Sequence, residues 1–148
     1  MYKLTNRKFD FKIFFLAYLS FFFLLVSCTK DTTTAELNLA NKFVANKIWY
    51  LDYAQTITNG TVIAKNYIGQ STYSVNYLKD LTIKDSDGMN GTYTIEKING
   101  QLQIHVQAKT NGNNTIEYIY NIESIGSSSM VLNYLNGGST IRQFFSTK

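Results

Sequence analysis

The stretch GTYTIEKINGQLQIHVQAKT, residues 91–110, decides the fold. In residues 101–109 every second position is apolar, from Leu102 to Ala108, and polar residues fill the positions between them. This period of two is typical of a β-strand with one buried face. Asn99-Gly100, just before this strand, is the strongest short-range signal for a two-residue hairpin turn. Residues 91–98 and 101–110 are therefore predicted to form an antiparallel hairpin.

Similar strands joined by short turns continue on both sides of this hairpin. Asn59-Gly60 marks a second hairpin, and residues 69–76 leave the assignment open, although Tyr73 and Val75 alternate with polar residues. The predicted strands are 47–58, 61–68, 78–84, 91–98, 101–110, 115–124, 130–135 and 139–146. We predict an all-β fold of about eight antiparallel strands in an up-and-down barrel. Closure removes exposed edges, and such a barrel holds packed side chains or one small ligand.

A short helix is predicted before the first strand. In residues 35–46, Leu37, Ala40 and Val44 lie near helical spacing, and Lys42 falls late in the segment, where a cation suits the helix dipole. We expect this helix to plug or flank one end of the sheet.

The chain opens with a short apolar leader. Residues 13–26 carry no charge and follow four cations, at Lys3, Arg7, Lys8 and Lys12. This run is too short for a spanning helix, which needs about 20 residues, but suits a secretory signal, whose apolar region has about 7–15. Residues 1–27 are therefore predicted to be a signal peptide, and a membrane anchor that stays attached is the alternative.

Leu25-Val26-Ser27-Cys28 resembles a bacterial lipobox. The resemblance implies cleavage after Ser27 and palmitate-type acyl chains on Cys28, and two such chains give stable membrane attachment. Cys28 is the only cysteine, so no intrachain disulfide can form, and a free exported thiol is the alternative reading. Residues 28–34 would then be a polar tether, and residues 35–148 the folded domain.

The composition of the mature chain excludes some classes of function. From Cys28 onward it has ten Lys and Arg against nine Asp and Glu, so the excess positive charge lies in the leader and does not favour nucleic acid. A membrane-spanning barrel would need apolar outward bands flanked by aromatic girdles. The short strands and the lipobox argue against it. We predict a monomer that holds to the membrane through lipid on Cys28.

Several motifs occur in the order found in a known family. Trp49 lies early in the first strand, Asp-Leu-Thr-Ile follows at 80–83, and Gly-Thr-Tyr-Thr-Ile at 91–95 opens the hairpin around Asn99-Gly100. This order is similar to that of lipocalin-like lipoproteins of the Bacteroidetes. The resemblance implies a lipocalin-like barrel in the cell envelope, at the outer membrane. Lys47 stands where lipocalins have a glycine two residues before the tryptophan, and no second lipocalin motif is present.

The same resemblance implies a structural role for Arg142. Lipocalins place a basic residue of the last strand over the tryptophan of the first strand, and Arg142 is the only arginine from Cys28 onward. Arg142 is therefore predicted to pack on Trp49, a contact of about 0.5–2 kcal/mol. A solvated arginine on the sheet is the alternative.

No catalytic residue, metal site or cofactor is predicted. His105 is the only histidine and shares a polar face with Gln103 and Gln107, so zinc ligands and a Cys-His pair are lacking. The carboxylates of residues 85–90 hint at calcium, but Met89 and Asn90 break the ligand pattern, and a plain turn is the simpler reading. We predict that the protein is not an enzyme.

Tyrosines are the remaining functional signal, with nine from Cys28 onward. Their rings suit a ligand cavity, although they also suit ordinary sheet packing. The candidate ligand-binding residues are Trp49, Tyr50, Tyr53, Tyr118 and Tyr120. We predict a lipid-anchored barrel that binds a small apolar or amphipathic ligand. The alternative is an interaction module with a filled barrel, whose loops contact an envelope protein, a glycan or a foreign hydrolase that it inhibits.

Overall fold

The structure, a computed structural model, describes residues 29–70, 73–109 and 115–148. Cys28 and the predicted signal peptide at 1–27 lie outside the described residues. Residues 36–148 form one compact unit.

One helix and nine strands make up the described chain. They are α1 (Thr29–Val44), β1 (Lys47–Thr58), β2 (Thr61–Asn66), β3 (Ser74–Tyr77), β4 (Thr82–Asp85), β5 (Asn90–Ile98), β6 (Gln101–Lys109), β7 (Thr115–Ile125), β8 (Ser129–Asn136) and β9 (Ser139–Ser146). Residues 29–34, predicted as an irregular tether, are helical. Within the described ranges, no helix combines the length and the hydropathy needed to cross a bilayer.

Eight of the strands close into a barrel, as predicted. Each pair is antiparallel, and β1 pairs with β3 on one side and with β9 on the other, which completes the ring. The ninth strand, β2, pairs with the second half of β1, from Tyr53 to Thr58, beyond the point where β3 begins. The second half of β1 and the paired strand β2 therefore extend the barrel wall beyond β3.

Both predicted Asn-Gly hairpins are present. Asn59 and Gly60 have φ angles of 48° and 80°, and Asn99 and Gly100 have 51° and 82°. Positive φ at both central residues is what the type I′ turn requires, and asparagine and glycine adopt it at the lowest cost. These turns set the registers of β1 with β2 and of β5 with β6.

The helix α1 closes one end of the barrel, which we call the helix end. Val44 joins the buried core, and the indole Nε1 of Trp49 donates a hydrogen bond of 3.1 Å to the Val44 carbonyl. Glu36 of α1 forms an ion pair with Lys97 at the end of β5. The opposite end, where β1, β6 and β8 finish and β5, β7 and β9 begin, is the open end.

Arg142 does not pack on Trp49, so that prediction is wrong. Because β9 runs antiparallel to β1, Arg142 lies opposite Gln55, six residues or about 20 Å along β1 from Trp49. Arg142 instead forms an ion pair with Glu123 on the outer face. The cation at the indole is Lys47, whose Nζ lies 5.4 Å from the Trp49 ring centroid and donates to the Ser127 carbonyl at 2.6 Å.

Candidate functional site

Four tyrosines gather at the open end of the barrel and form what we call the mouth cluster: Tyr73, Tyr118, Tyr120 and Tyr134. The rings of Tyr118 and Tyr120 are stacked, with centroids 6.1 Å apart and planes 24° apart. Tyr120 also meets Tyr134 edge to face at 5.3 Å. Aromatic pairs in these geometries contribute about 0.5–1.5 kcal/mol beyond their buried area, so the cluster is a packed unit.

The alternation of β7 explains how this face changes from core to solvent. Ile116, Tyr118, Tyr120 and Ile122 all point inward, since they alternate with polar positions along the strand. Ile122 is buried in the core, whereas Tyr118 is 36% exposed and Ile116 is 38% exposed. Exposure rises along the inner face toward the open end, so the lumen opens to solvent there.

Apolar side chains extend the inner wall across neighbouring strands. Tyr134 of β8 lies opposite Ile141 of β9, Ile141 opposite Thr56 of β1, and Thr56 opposite Ile63 of β2. Residues in register share a face, so this row continues the inward surface. Ile63 is 69% exposed, which makes the β1–β2 hairpin an apolar flank of the mouth.

Asp85 supplies the carboxylate of the mouth. The negative charge of this carboxylate lies close enough to the Tyr73 hydroxyl to help raise its pKa, after burial. Asp85 Oδ1 also accepts the backbone N–H of Asp87 at 3.0 Å and of Met89 at 2.7 Å. Residues 85–90 thus form a turn that is held by its own first carboxylate. In the described part of the chain, no group of three or more His, Cys, Asp or Glu side chains is placed to hold a metal ion.

A pocket of about 250 Å³ lies next to this turn. Its walls include Asp85, Met89 and Lys109, together with the Tyr118 side chain. Polar atoms contribute more of its lining than apolar atoms do, and the apolar part comes from Met89, Ala108 and the Tyr118 ring. The pocket brings the exposed edge of the mouth cluster next to both a carboxylate and an ammonium group.

Three tyrosine hydroxyls of the cluster, those of Tyr73, Tyr120 and Tyr134, are neutral donors. Burial raises the pKa of Tyr120 above its usual value of about 10, and burial followed by the negative charge of Asp85 raises the pKa of Tyr73. Burial also raises the pKa of Tyr134. These hydroxyls therefore keep their protons at neutral pH and offer hydrogen bonds against an apolar wall.

The other half of the lumen is filled with side chains. Tyr77 and Tyr93 meet edge to face at 5.0 Å, and the Tyr93 hydroxyl donates to the Leu78 carbonyl at 2.9 Å. The fully buried side chains around them are Val44, Trp49, Ile83, Ile104, Val106, Met130 and Leu132. This half of the lumen therefore leaves the mouth cluster as the part of the inner wall that meets solvent.

The structure brings together only two of the candidate residues predicted from the sequence, Tyr118 and Tyr120. Trp49 lies in the core at the helix end, and Tyr50 faces outward beneath the Lys148 ammonium, at 4.3 Å. Tyr53 packs on Phe144 of the outer face, because a bulge between Leu51 and Tyr53 reverses the alternation of β1. The prediction that Tyr50 and Tyr53 line the cavity is therefore wrong.

Sequence reasoning missed Tyr73, Tyr134 and Asp85. Tyr134 could have been found from the period of two in β8. Met130 and Leu132 are buried core residues, and Tyr134 is the next residue on the same face. Tyr73 lies in the segment that the pattern left open, and Asp85 looked like an ordinary turn residue.

No protein-family model, no curated protein and no solved structure matches this chain. The resemblance to lipocalin-like lipoproteins therefore remains a prediction from sequence motifs.

Proposed function

We propose that this protein is a lipid-anchored protein of the bacterial cell envelope whose barrel binds a small amphipathic ligand at its open end. One observation carries the proposal: the inward apolar residues Ile116 and Ile63 are exposed at the open end, whereas Trp49 and Met130, inward residues toward the helix end, are buried. Concave apolar surface that stays in contact with water is typical of a ligand site.

The chemistry of the mouth suits a molecule with an apolar body and a polar head. The rings of Tyr118 and Tyr120 and the side chain of Ile141 offer an apolar wall. The neutral hydroxyl of Tyr73 and the neighbouring carboxylate of Asp85 offer hydrogen bonds to the polar head. Because the inner half of the lumen is packed, we expect a short ligand, or one whose tail remains outside the barrel.

The ligand site is tested with a fragment of residues 29–148 and the fluorescent amphiphile 1-anilinonaphthalene-8-sulfonate, after circular dichroism has confirmed that the fragment folds. Ile116→Glu should weaken binding at least about tenfold, since it places a charge on the apolar wall. Ile98→Glu is the matched control, because Ile98 is 39% exposed but lies at the helix end. Equal effects of the two substitutions would contradict the proposal.

The membrane attachment is supported by the lipobox that ends at Cys28. Acylation at this residue would leave fewer than ten residues between the lipid and Glu36, where the compact unit begins. Growth of the expressing bacterium with an alkyne-tagged palmitate should label the wild-type chain. Cys28→Ala should abolish the label, and an unlabelled wild-type chain would refute acylation.

An interaction module is the second candidate, and the packed lumen favours it. Leu135 is 79% exposed on the outer side of the open end, and Val62 of β2 is also exposed there. A partner protein could cover this rim without any ligand in the mouth. Native mass spectrometry distinguishes the two functions, because a co-purifying small molecule supports the first and a stoichiometric protein partner supports the second.

A further inference from the structure

Six polar side chains form one continuous row on the outer face of the barrel. They stand opposite one another in register on six successive strands of the ring: Glu96, Gln103, Asn121, Asn133, Arg142 and Gln55. We call this set the polar row. Neighbouring strands lie about 4.8 Å apart, so the row spans about 24 Å.

Hydrogen bonds hold the middle of the polar row in place. Gln103 Nε2 donates to Asn121 Oδ1 at 2.9 Å, and Asn121 Nδ2 donates to Asn133 Oδ1 at 2.9 Å. Asn133 Nδ2 then donates to Glu123 Oε1 at 2.7 Å, and Arg142 donates to the other oxygen of the same carboxylate. The three amides are therefore ordered and aligned before any ligand arrives.

Each amide of the row keeps bonding capacity for a ligand. A side-chain amide has two N–H donors and an oxygen with two lone pairs. The hydrogen bonds use one donor and one lone pair of each of the three central amides, Gln103, Asn121 and Asn133. Free donors and acceptors thus repeat at each strand, along a line of half-buried side chains. Preorganised groups bind with a smaller loss of entropy than mobile ones.

A groove adjoins the Gln103 end of the row. It has a volume of about 290 Å³ and is lined by polar side chains that include Thr94, Glu96, His105 and Glu117. At the other end, the rings of Tyr53 and Phe144 lie beside Arg142, with centroids 5.4 Å apart. The strip therefore combines amides, carboxylates and aromatic rings.

We infer that the polar row binds an extended neutral glycan. Sugar hydroxyls donate and accept hydrogen bonds, which matches the free groups of Gln103, Asn121 and Asn133. Strand spacing is close to the length of one pyranose ring, so successive sugars would meet successive amides. The ring of Tyr53 suits the apolar face of a sugar, whereas the Phe144 ring lies under the Arg142 guanidinium.

The chemistry of the strip argues against other ligands. Strands β6, β7 and β8 are paired on both sides, so a peptide cannot add to the sheet there. Glu96, Glu117 and Glu123 outnumber the single cation Arg142, which disfavours nucleic acid and anionic glycans. This site lies on the outside of the wall and is independent of the mouth cluster.

Calorimetry of the full chain in lipid nanodiscs tests the inference, with cellohexaose and chitohexaose as probes. At least one of the two should bind, and Asn121→Ala should weaken that binding at least about tenfold. Asn76→Ala is the matched control, since Asn76 is a half-buried amide on the outer face of β3, away from the row. Ile116→Glu, at the mouth, should leave glycan binding unchanged.

Side-chain amide resonances of the wild-type chain give a second readout that needs no variant. The probe that binds should shift the NH₂ signals of Gln103, Asn121 and Asn133 and leave that of Asn76 in place. If neither oligosaccharide binds, or if Asn76→Ala weakens binding as much as Asn121→Ala does, the inference is overturned.

Discussion

The Glu123 carboxylate determines which way the amide groups of Asn133, Asn121 and Gln103 point on the outer face. An ionised carboxylate only accepts hydrogen bonds, so Asn133 must turn its NH₂ group toward Glu123. The Asn133 oxygen then accepts a hydrogen bond from the NH₂ group of Asn121. The Asn121 oxygen in turn accepts one from the NH₂ group of Gln103. The Gln103 oxygen is left facing the Nε2 of His105, at 3.1 Å.

This chain of bonds predicts the tautomer of His105. Because the Gln103 oxygen can only accept, Nε2 must carry the proton, and ¹⁵N NMR of the neutral imidazole should show the Nε2–H form. Glu123→Gln offers both a donor and an acceptor, so the amides can reverse and the tautomers should mix. Glu117→Gln, outside this chain, should leave the tautomer unchanged, whereas an Nδ1–H form in the wild type would contradict the assigned bonds.

Gly91 illustrates a different constraint on a single residue. A Cβ atom added there would lie 2.2 Å from the Gln107 carbonyl oxygen, which is backbone and cannot move aside. Gly91→Ala should therefore cost about 3 kcal/mol in the free energy of unfolding, measured by urea denaturation. Gly126→Ala is the control, since the nearest atom would be 3.6 Å away, and equal losses would refute the steric explanation.

At the scale of elements, α1 acts as the lid of the helix end. The helical spacing of Leu37, Ala40 and Val44 predicted this element, and Ala40 and Val44 are indeed buried. The helix ends where Trp49 binds the Val44 carbonyl, so one hydrogen bond ties the lid to the first strand of the barrel.

Two neighbouring residues of α1 test this arrangement. Ala40 is 1% exposed and Leu39 is 50% exposed. Ala40→Arg would bury a charge without a partner and should lower the free energy of unfolding by more than about 3 kcal/mol. Leu39→Arg should change it by less than about 0.5 kcal/mol, and similar losses for both would mean that α1 does not pack as described.

The strands show which elements could be predicted from the sequence. The period of two in β6 and β7 gave the inward face correctly, including Tyr118 and Tyr120. In β1 the same reasoning failed after Leu51, since one bulged residue turned Tyr53 outward. A bulge leaves no mark on local periodicity, and β3 has only four residues, too few for a pattern to show.

At the scale of the whole molecule, closure of the ring decides which distant residues meet. The sequence predicted a closed barrel, but the position of Arg142 depended on the register between β9 and β1, which no hairpin turn sets. The mouth cluster has the same origin, since Tyr73 and Tyr120 come from segments far apart in the chain. The sequence could predict the register only for strand pairs that a hairpin turn joins, such as β1 with β2 and β5 with β6.

The buried tyrosines make stability depend on alkaline pH. Burial raises the pKa of Tyr73, Tyr77 and Tyr120 in the folded chain, while in the unfolded chain they ionise near pH 10. Below pH 10 both states keep these protons and their stabilising contribution is complete. Above pH 10 the unfolded state releases them first, so stability should fall by about 1.4 kcal/mol per pH unit for each such tyrosine.

Thermal unfolding between pH 9 and 12 measures this effect. Tyr77→Phe removes one ionisable group and should make the fall of Tm with pH less steep. Absorbance at 295 nm should show these tyrosines ionising together with unfolding. An unchanged slope in Tyr77→Phe would contradict the burial of this hydroxyl.

The most direct test of the proposed ligand site is paramagnetic broadening by a spin-labelled stearic acid, observed in ¹⁵N spectra of the folded fragment of residues 29–148. Binding at the open end predicts that the amide signals of Tyr118 and Tyr134 broaden, while those of Val44 and Ile98 stay sharp. Broadening that is centred on the helix end, or that is equal over the whole barrel, would contradict it.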